Sequence, residues 1–281
     1  VVNSNKDTGY NATSTLAGTR LNTPLKDLGA SISIYTKDFL NDIGATNSTE
    51  LLVFATGMEA AGPGGNFSSN DEGNINSTFA TGVNVRVNPQ QSSRTRGLAS
   101  PNFTRDYFTT GIAFDSYNTD RVTVNRGPNA ALFGVGSPAG VVDTSLIRPD
   151  LQRNKNTIVM RYGNNDSLRG TVDFNRVLID KKLAVRIAAL HDKEEFNQRP
   201  AFEEKKRIYG ALTFEPFKST QLRGNFESGN TRANRPITVL PYNSISNYWY
   251  AAGRPGFDWT FYDDPARNPN AAIQSAANFE G

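Results

Sequence analysis

Asp120-Arg-Val-Thr-Val-Asn-Arg-Gly-Pro-Asn-Ala-Ala-Leu-Phe-Gly134, followed by Ser137-Pro-Ala-Gly-Val-Val142, decides the reading of this chain. Arg121 to Val124 alternates polar and apolar side chains, as a half-buried strand does. Gly127-Pro128 breaks that pattern, and Pro128 suits the first position of a short helix, Asn129 to Phe133. Ser137-Pro-Ala-Gly140 then turns the chain back. Strand, break, short helix and Gly-rich return make one compact unit.

The residues before it continue in the same style. Ser31-Ile-Ser-Ile-Tyr-Thr36 alternates like a strand, Thr36 can cap a helix over Lys37 to Ile43, and Gly44 suits its stop. Asn47, with Glu50 three residues on, marks the start of a helix over Thr49 to Ala55, closed by Gly57. Residues 62–78 are rich in Gly, Asn and Ser and read as a loop. Val83-Asn-Val-Arg-Val87 and Asp106 to Phe114 are further strand candidates. Residues 1–20 are polar and irregular and read as a flexible leader. Val1-Val-Asn-Ser-Asn5 carries neither a charged n-region nor an apolar h-region, so a signal peptide has been removed or the chain is a fragment.

This order of elements resembles the plug domain of TonB-dependent outer-membrane receptors. Thr23-Pro-Leu-Lys-Asp-Leu28 with Ser31-Ile-Ser-Ile34 is similar to the family's plug entry. Ile43-Gly-Ala45 through Leu51-Leu52 to Thr56-Gly57 is similar to its helical pair. Arg94-Thr-Arg-Gly-Leu98 stands where the family has an Ile-Arg-Gly-Phe type segment. Arg126-Gly127-Pro128 through Gly134 is the strongest element, and Ser137-Pro-Ala-Gly140 resembles the turn that follows. The chain departs from the pattern at Thr110, Asn125 and Ala139, where the family usually has Asp, Leu and Gly. Its leader also lacks a clear copy of the short apolar box that recruits TonB.

The resemblance implies a plug over about residues 21–150, with motif positions Gly97, Gly127, Pro128, Gly134 and Gly140. It also implies that Arg96 and Arg126 face the barrel wall and pair with carboxylates there, as a plug-barrel lock. The planar guanidinium suits such a bidentate, partly buried role. The acidic partners are expected beyond residue 281.

From about residue 155 the texture changes. Ile158, Met160 and Tyr162 share one face of a segment, and Gly170, Val172 and Phe174 share another against Arg169, Thr171, Asp173 and Asn175. Leu183, Val185 and Ile187 alternate with Lys182, Ala184 and Arg186. Ile208, Gly210, Leu212 and Phe214 alternate with Arg207, Tyr209, Thr213 and Glu215, and Leu222, Gly224 and Phe226 with Arg223, Asn225 and Glu227. Five segments with a period of two predict antiparallel strands of a transmembrane barrel. Asp180-Lys181 and Pro216-Phe-Lys218 read as short periplasmic turns, while 192–204 and 230–281 read as extracellular loops. Five strands cannot close a barrel of roughly 22 strands. The expectation is therefore an N-terminal fragment: leader 1–20, an α+β plug (small mixed sheet with short helices) over 21–150, and the first antiparallel strands of the barrel over 151–281.

Composition narrows the function classes. A formal net charge of +3 with no Lys/Arg run gives no nucleic-acid footprint. Zero cysteines exclude disulfides and thiolate metal sites, and the sole histidine, His191, excludes a multi-histidine metal site. His191 reads as the end of a strand. No window approaches the roughly 18 apolar residues of a membrane helix. Gly134-Val-Gly136-Ser-Pro-Ala139 formally fits a dinucleotide fingerprint, but Pro138 interrupts it and no long helix follows. A soluble all-β carbohydrate-binding or adhesion module is the rival reading. It accommodates sequences such as Asn66-Phe-Ser68 and Asn102-Phe-Thr104, but needs a second sheet to cover Val172, Phe174, Val185, Ile187 and Leu212.

The resemblance implies a receptor in the outer membrane of a Gram-negative bacterium, contacting its lipid and energised by TonB. Its implied ligand is a scarce nutrient, such as a ferric siderophore, vitamin B12 or an oligosaccharide. Transport of this kind is a work step, so no catalytic residue, cofactor or resident metal is expected. Tyr242, Tyr248, Trp249 and Tyr250 are the ligand-contact candidates, with Gly62 to Asn76 as the plug apex.

Overall fold

The computed structural model describes residues 9–15, 23–62, 64–66, 89–127, 137–217 and 219–236. All of them fall in one unit, Val1–Phe67 with Asn84–Thr238. The leader is not wholly irregular. Ser14–Thr15 (β1) pairs antiparallel with Thr23–Pro24 (β2), and Ala12 and Thr15 are buried. Gly9–Thr15 is held because the Thr36 hydroxyl donates to the Gly9 carbonyl (2.8 Å) and the Tyr10 hydroxyl to Asp42 (2.7 Å). The rings of Tyr10 and Phe39 meet edge to face at 5.3 Å.

Ile32–Thr36 (β3) runs straight into Lys37–Asp42 (α1), since the Thr36 hydroxyl also accepts from Phe39 N and caps the helix. Gly44, at φ +71°, supplies the left-handed turn that stops it. Ser48–Leu52 (α2) starts as expected: Asn47 Oδ1 accepts from Glu50 N, and the Glu50 carboxylate accepts from the N–H and hydroxyl of Thr46. The helix ends before Ala55, because Phe54 and Ala55 donate to the carbonyls three residues back and tighten the last turn.

Met58–Glu59 (β4) pairs with Arg94–Thr95 (β5). Asn102–Arg105 (β6), Phe108–Thr109 (β7), Thr119–Arg126 (β8) and Gly140–Leu146 (β9) join β3 in a mixed sheet ordered β3-β8-β9-β6-β7, in which only β6 and β9 run parallel. The expected strand over Asp106 to Phe114 is corrected here. Asp106 and Tyr107 both have positive φ and form a turn, so only Phe108–Thr109 is strand. The expected strand Val83–Val87 and helix Asn129–Phe133 lie outside the described residues. One side of the sheet packs Val122, Val124, Val142 and Phe103 against Leu40, Leu51 and Leu52 of the helices.

Lys155–Tyr162 (β10), Leu168–Ile179 (β11), Leu183–Glu195 (β12), Phe202–Phe217 (β13) and Thr220–Asn234 (β14) form an antiparallel meander in chain order. These strands outrun their apolar patterns. The expected loop 192–204 shrinks to 196–201, residues 230–234 belong to β14, Pro216 and Phe217 belong to β13, and His191 lies inside β12 rather than at its end. The sheet is polar on its covered face and apolar on its exposed one. Arg169, Asn175, Glu203, Lys205 and Thr213 are buried, while Ile158, Ile187, Ile208, Leu212 and Phe226 are exposed. That inversion is the signature of a lipid-facing wall around a polar lumen. Among the described residues, no second sheet covers the apolar face that the soluble-module reading needs covered.

Candidate functional site

The polar face of the wall meets the plug along a junction fastened by arginines. On β6 of the plug, the Arg105 guanidinium pairs with Glu227 of β14, both side chains being under a tenth exposed. Glu227 also accepts from the Tyr117 hydroxyl at 2.8 Å and lies 3.8 Å from Arg207 of β13. Arg105 and Arg207 both donate to the Ala113 carbonyl, at 3.1 and 2.9 Å, so one plug carbonyl is held by an arginine of the plug and an arginine of the wall. Burial, reinforced by the Glu227 charge, pushes the Tyr117 hydroxyl far above its usual range, so it acts as a donor at any physiological pH.

A second fastening runs the other way, from wall to plug. Arg169 of β11 binds Asp115 bidentately, NH1 to Oδ2 at 3.2 Å and NH2 to Oδ1 at 2.5 Å, and its NH1 also reaches Asp192 of β12 at 2.7 Å. Asp115 is fixed by its own backbone role, since Oδ1 accepts from Tyr117 N and caps a single 3-10 turn over Ser116–Asn118. From Asp192 the charges continue through Lys205 and Glu203 to Arg235. Polar contacts to plug carbonyls complete the junction: Tyr209 to Ile147 (2.9 Å), Arg186 to Arg148 (2.9 Å) and Arg161 to Gly44 (2.8 Å). Tyr117, Leu146 and Ile147 of the plug share a small apolar cluster with Ala188, Leu190 and Tyr209 of the wall. Charged hydrogen bonds of this kind are strong where water is excluded and geometrically specific. Each can be exchanged for water if the plug moves.

Two plug groups, the buried Asp143 and the half-buried Lys37, titrate near neutrality. Burial lifts the Asp143 carboxyl to about 7, although its Oδ1 accepts from the Thr104 hydroxyl and from Tyr107 N, each at 2.6 Å. Burial lowers the Lys37 ammonium to about 8, and the group donates to the Ser116 carbonyl.

The sequence-derived arginines sit elsewhere on the plug. Arg96, at φ +52°, donates to Ser31 Oγ (3.3 Å), and Arg126 donates to Ser33 Oγ (3.0 Å). They flank Gly57, where a Cβ would lie 3.6 Å from Arg96 Cγ and 4.0 Å from Arg126 Nε. The structure thus brings the two together. Neither meets a wall carboxylate among the described residues, and Nε and NH2 of Arg126 are buried without a hydrogen-bond partner there. Gly97, Gly127 and Gly140 all have positive φ. Gly140 is also sterically obligatory, because a Cβ would stand 2.0 Å from the Asn125 carbonyl oxygen. Pro128, Gly134, Tyr242, Tyr248, Trp249, Tyr250 and most of Gly62 to Asn76 lie outside the described residues. Sequence reasoning misses Arg105, Asp115, Arg169 and Glu227, although charges on the non-lipid face of β11 and β14 are the signal that marks Arg169 and Glu227. Among the described residues, no cluster of His, Cys, Asp and Glu could hold a metal ion.

Comparison with known proteins shows what this geometry is similar to. Residues 24–141 match the TonB-dependent Receptor Plug Domain. The chain is 23% identical over 221 residues to the ferrioxamine receptor of Yersinia enterocolitica, covering 76% of this chain and 28% of that protein. It is 26% identical over 187 residues to the catecholate siderophore receptor Fiu of Escherichia coli K12, covering 63% of this chain and 21% of that protein. The alcaligin outer-membrane receptor FauA of Bordetella pertussis superposes with a TM-score of 0.64 at 19% identity, over 79% of this chain and 36% of that one. The closed form of Fiu superposes with a TM-score of 0.65 at 19% identity, over 81% of this chain and 30% of that one. The chain therefore spans less than a third of the length of the curated relatives quoted. With plug match, mixed sheet, inverted wall and wall-bound plug in agreement, residues 24–141 form a plug domain of the TonB-dependent receptor kind, and the chain is similar to such receptors over the plug and the opening strands of the barrel.

Proposed function

We propose that the receptor imports a ferric siderophore across the outer membrane, with the plug as the gate and TonB as the source of work. The observation that carries the reading is the fastened junction: Arg105–Glu227 and Arg169–Asp115 hold the plug on the lumenal face of the wall by contacts that can part and re-form. Siderophore receptors among the relatives favour an iron chelate over vitamin B12 or a glycan. The outer membrane has no nucleotide supply, so opening requires a pull from outside the barrel. Gly9–Thr15 offers a route for that pull. Residues before Gly9 load the Thr36 and Tyr10 contacts first, and Arg121 of β8 holds the Ser14 carbonyl at 3.2 Å. In this reading the leader, about 1–20, faces TonB, the plug occupies about 21–150, and Arg96 and Arg126 complete the lock on strands that follow.

The test is growth of a receptor-deletion strain under iron limitation on a panel of ferric siderophores, vitamin B12 and oligosaccharides. The reading expects loss of growth on one ferric siderophore, restored by the receptor only when TonB is present. Normal growth on every siderophore, with loss of a glycan or B12 phenotype, would refute it.

A further inference from the structure

Asp106 and Tyr107 are the whole loop between β6 and β7, since Arg105 pairs with Phe108 on either side of them. Both have positive φ, +45° and +69°, the geometry of a two-residue hairpin turn that Asp or Asn followed by Gly adopts without strain. Asp106 suits its place. Tyr107 does not, because a bulky side chain at positive φ crowds its own backbone. Such an outlier persists only where its surroundings hold it, and strain of this kind gathers at places where a protein uses it.

The surroundings here lie on both sides of the turn. Within the plug sheet, Tyr107 N donates to Asp143 Oδ1 at 2.6 Å and Asp106 N to the Thr144 carbonyl at 3.0 Å. Toward the leader, the side chains of Tyr107 and Thr15 of β1 are hydrogen-bonded; Thr15 is 2% exposed, and Arg121 holds the neighbouring Ser14 carbonyl at 3.2 Å. Toward the wall, Arg105, the residue just before the turn, pairs with Glu227. A cavity of about 100 Å³, lined by Thr15, Asp106, Tyr107 and Arg121 among others, adjoins the leader contact. The turn therefore has room to relax without repacking the core.

We infer that Tyr107 is a positioning residue that couples the seating of the leader strand to the Arg105–Glu227 lock. With β1 in place, Thr15 holds the Tyr107 side chain, and the strained turn keeps Arg105 aimed at Glu227. When β1 lifts, Tyr107 loses that contact, its backbone relaxes and Arg105 shifts with it. The use of this coupling in transport rests on the uptake reading above. The coupling itself belongs to the docked plug and acts equally in both directions.

The reverse direction gives the test, on the intact receptor. Ala12 is buried in the leader and the chain has no cysteine, so Ala12→Cys gives one thiol whose labelling reports the lifting of β1. Rates are normalised to that of the urea-unfolded receptor. Breaking the lock with Glu227→Gln should speed the labelling about tenfold, a coupling of ordinary size. In a Tyr107→Gly background, where the residue fits the turn without strain, the same lock variant should change the rate by less than about twofold. Equal acceleration in both backgrounds would mean that the plug merely loosens as a whole, and would overturn the inference, as would no acceleration in either. In transport, Tyr107→Gly should bind the ferric siderophore at parental affinity and import it several-fold more slowly; import at the parental rate would also overturn the inference. A parent that imports no siderophore would refute the uptake reading alone, because the labelling result decides the coupling without transport.

Discussion

Arg169 of the wall holds Asp115 of the plug with both guanidinium nitrogens, at 3.2 and 2.5 Å, while Asp115 simultaneously caps the turn that carries Tyr117. One carboxylate thus sets both the local backbone and the docking of the plug. Replacing the two partners should not be equivalent. Arg169→Met strands Asp115 and weakens Asp192 in the same buried patch, and should cost the docked plug about 3–5 kcal/mol. Asp115→Asn keeps the cap and leaves Arg169 on Asp192, so about 1–3 kcal/mol is expected. Urea unfolding of the plug within the intact receptor measures both; equal losses would contradict the assigned geometry.

Stability should also carry a specific pH signature. Asp143 has a folded pKa of about 7 against an ordinary 3.8, so the folded plug binds this proton more tightly than the unfolded chain. Its contribution is most favourable below about pH 4, falls as pH rises through 4 to 7, and is flat above. Lys37 works at the other end. With a folded value of about 8 against 10.5, its penalty is full below 8 and is relieved as pH rises toward 10.5. Asp143→Asn should flatten the acid-side slope of the denaturant midpoint while leaving the alkaline rise in place. A slope that survives in the Asn variant assigns it to another group.

Gly140 and Gly127 share a positive φ, yet only Gly140 faces backbone at clashing distance. A methyl group added there would stand 2.0 Å from the Asn125 carbonyl oxygen, whereas one added at Gly127 meets nothing within 4 Å. Gly140→Ala should therefore disrupt the β8–β9 register and reduce receptor yield sharply. Gly127→Ala should cost about 1–2 kcal/mol from backbone strain alone. Comparable assembly of the two variants would contradict this.

Sequence makes some of this legible for definite reasons. Thr36 and Asn47 are capping residues with helix formers behind them, so both helix starts are readable. The wall strands declare themselves wherever one face meets lipid. Above that band the alternation becomes charge against charge, as in Asp192-Lys193-Glu194-Glu195 and Glu203 to Arg207, and the apolar signal ends while the strands continue. Gly140–Leu146 is buried along most of its length, and its apolar and polar residues fall in blocks, so no period of two is present to find. Asp106 to Phe114 misleads because nothing in its residue types announces positive φ at Asp106 and Tyr107. The lock is least accessible. Arg105 and Glu227 lie 122 residues apart, and their pairing depends on how the plug seats on the wall.

That seating is the central claim, and a tether tests it directly. In the cysteine-free chain, Arg105→Cys and Glu227→Cys replace the pair by two thiols, which a short reducible bis-thiol linker can join across the junction. With the linker in place the receptor should bind its ferric siderophore at full affinity and import none of it, and reduction of the linker should restore import. Import by the linked receptor at the unlinked rate would show that the plug–wall junction need not part, and would contradict the account.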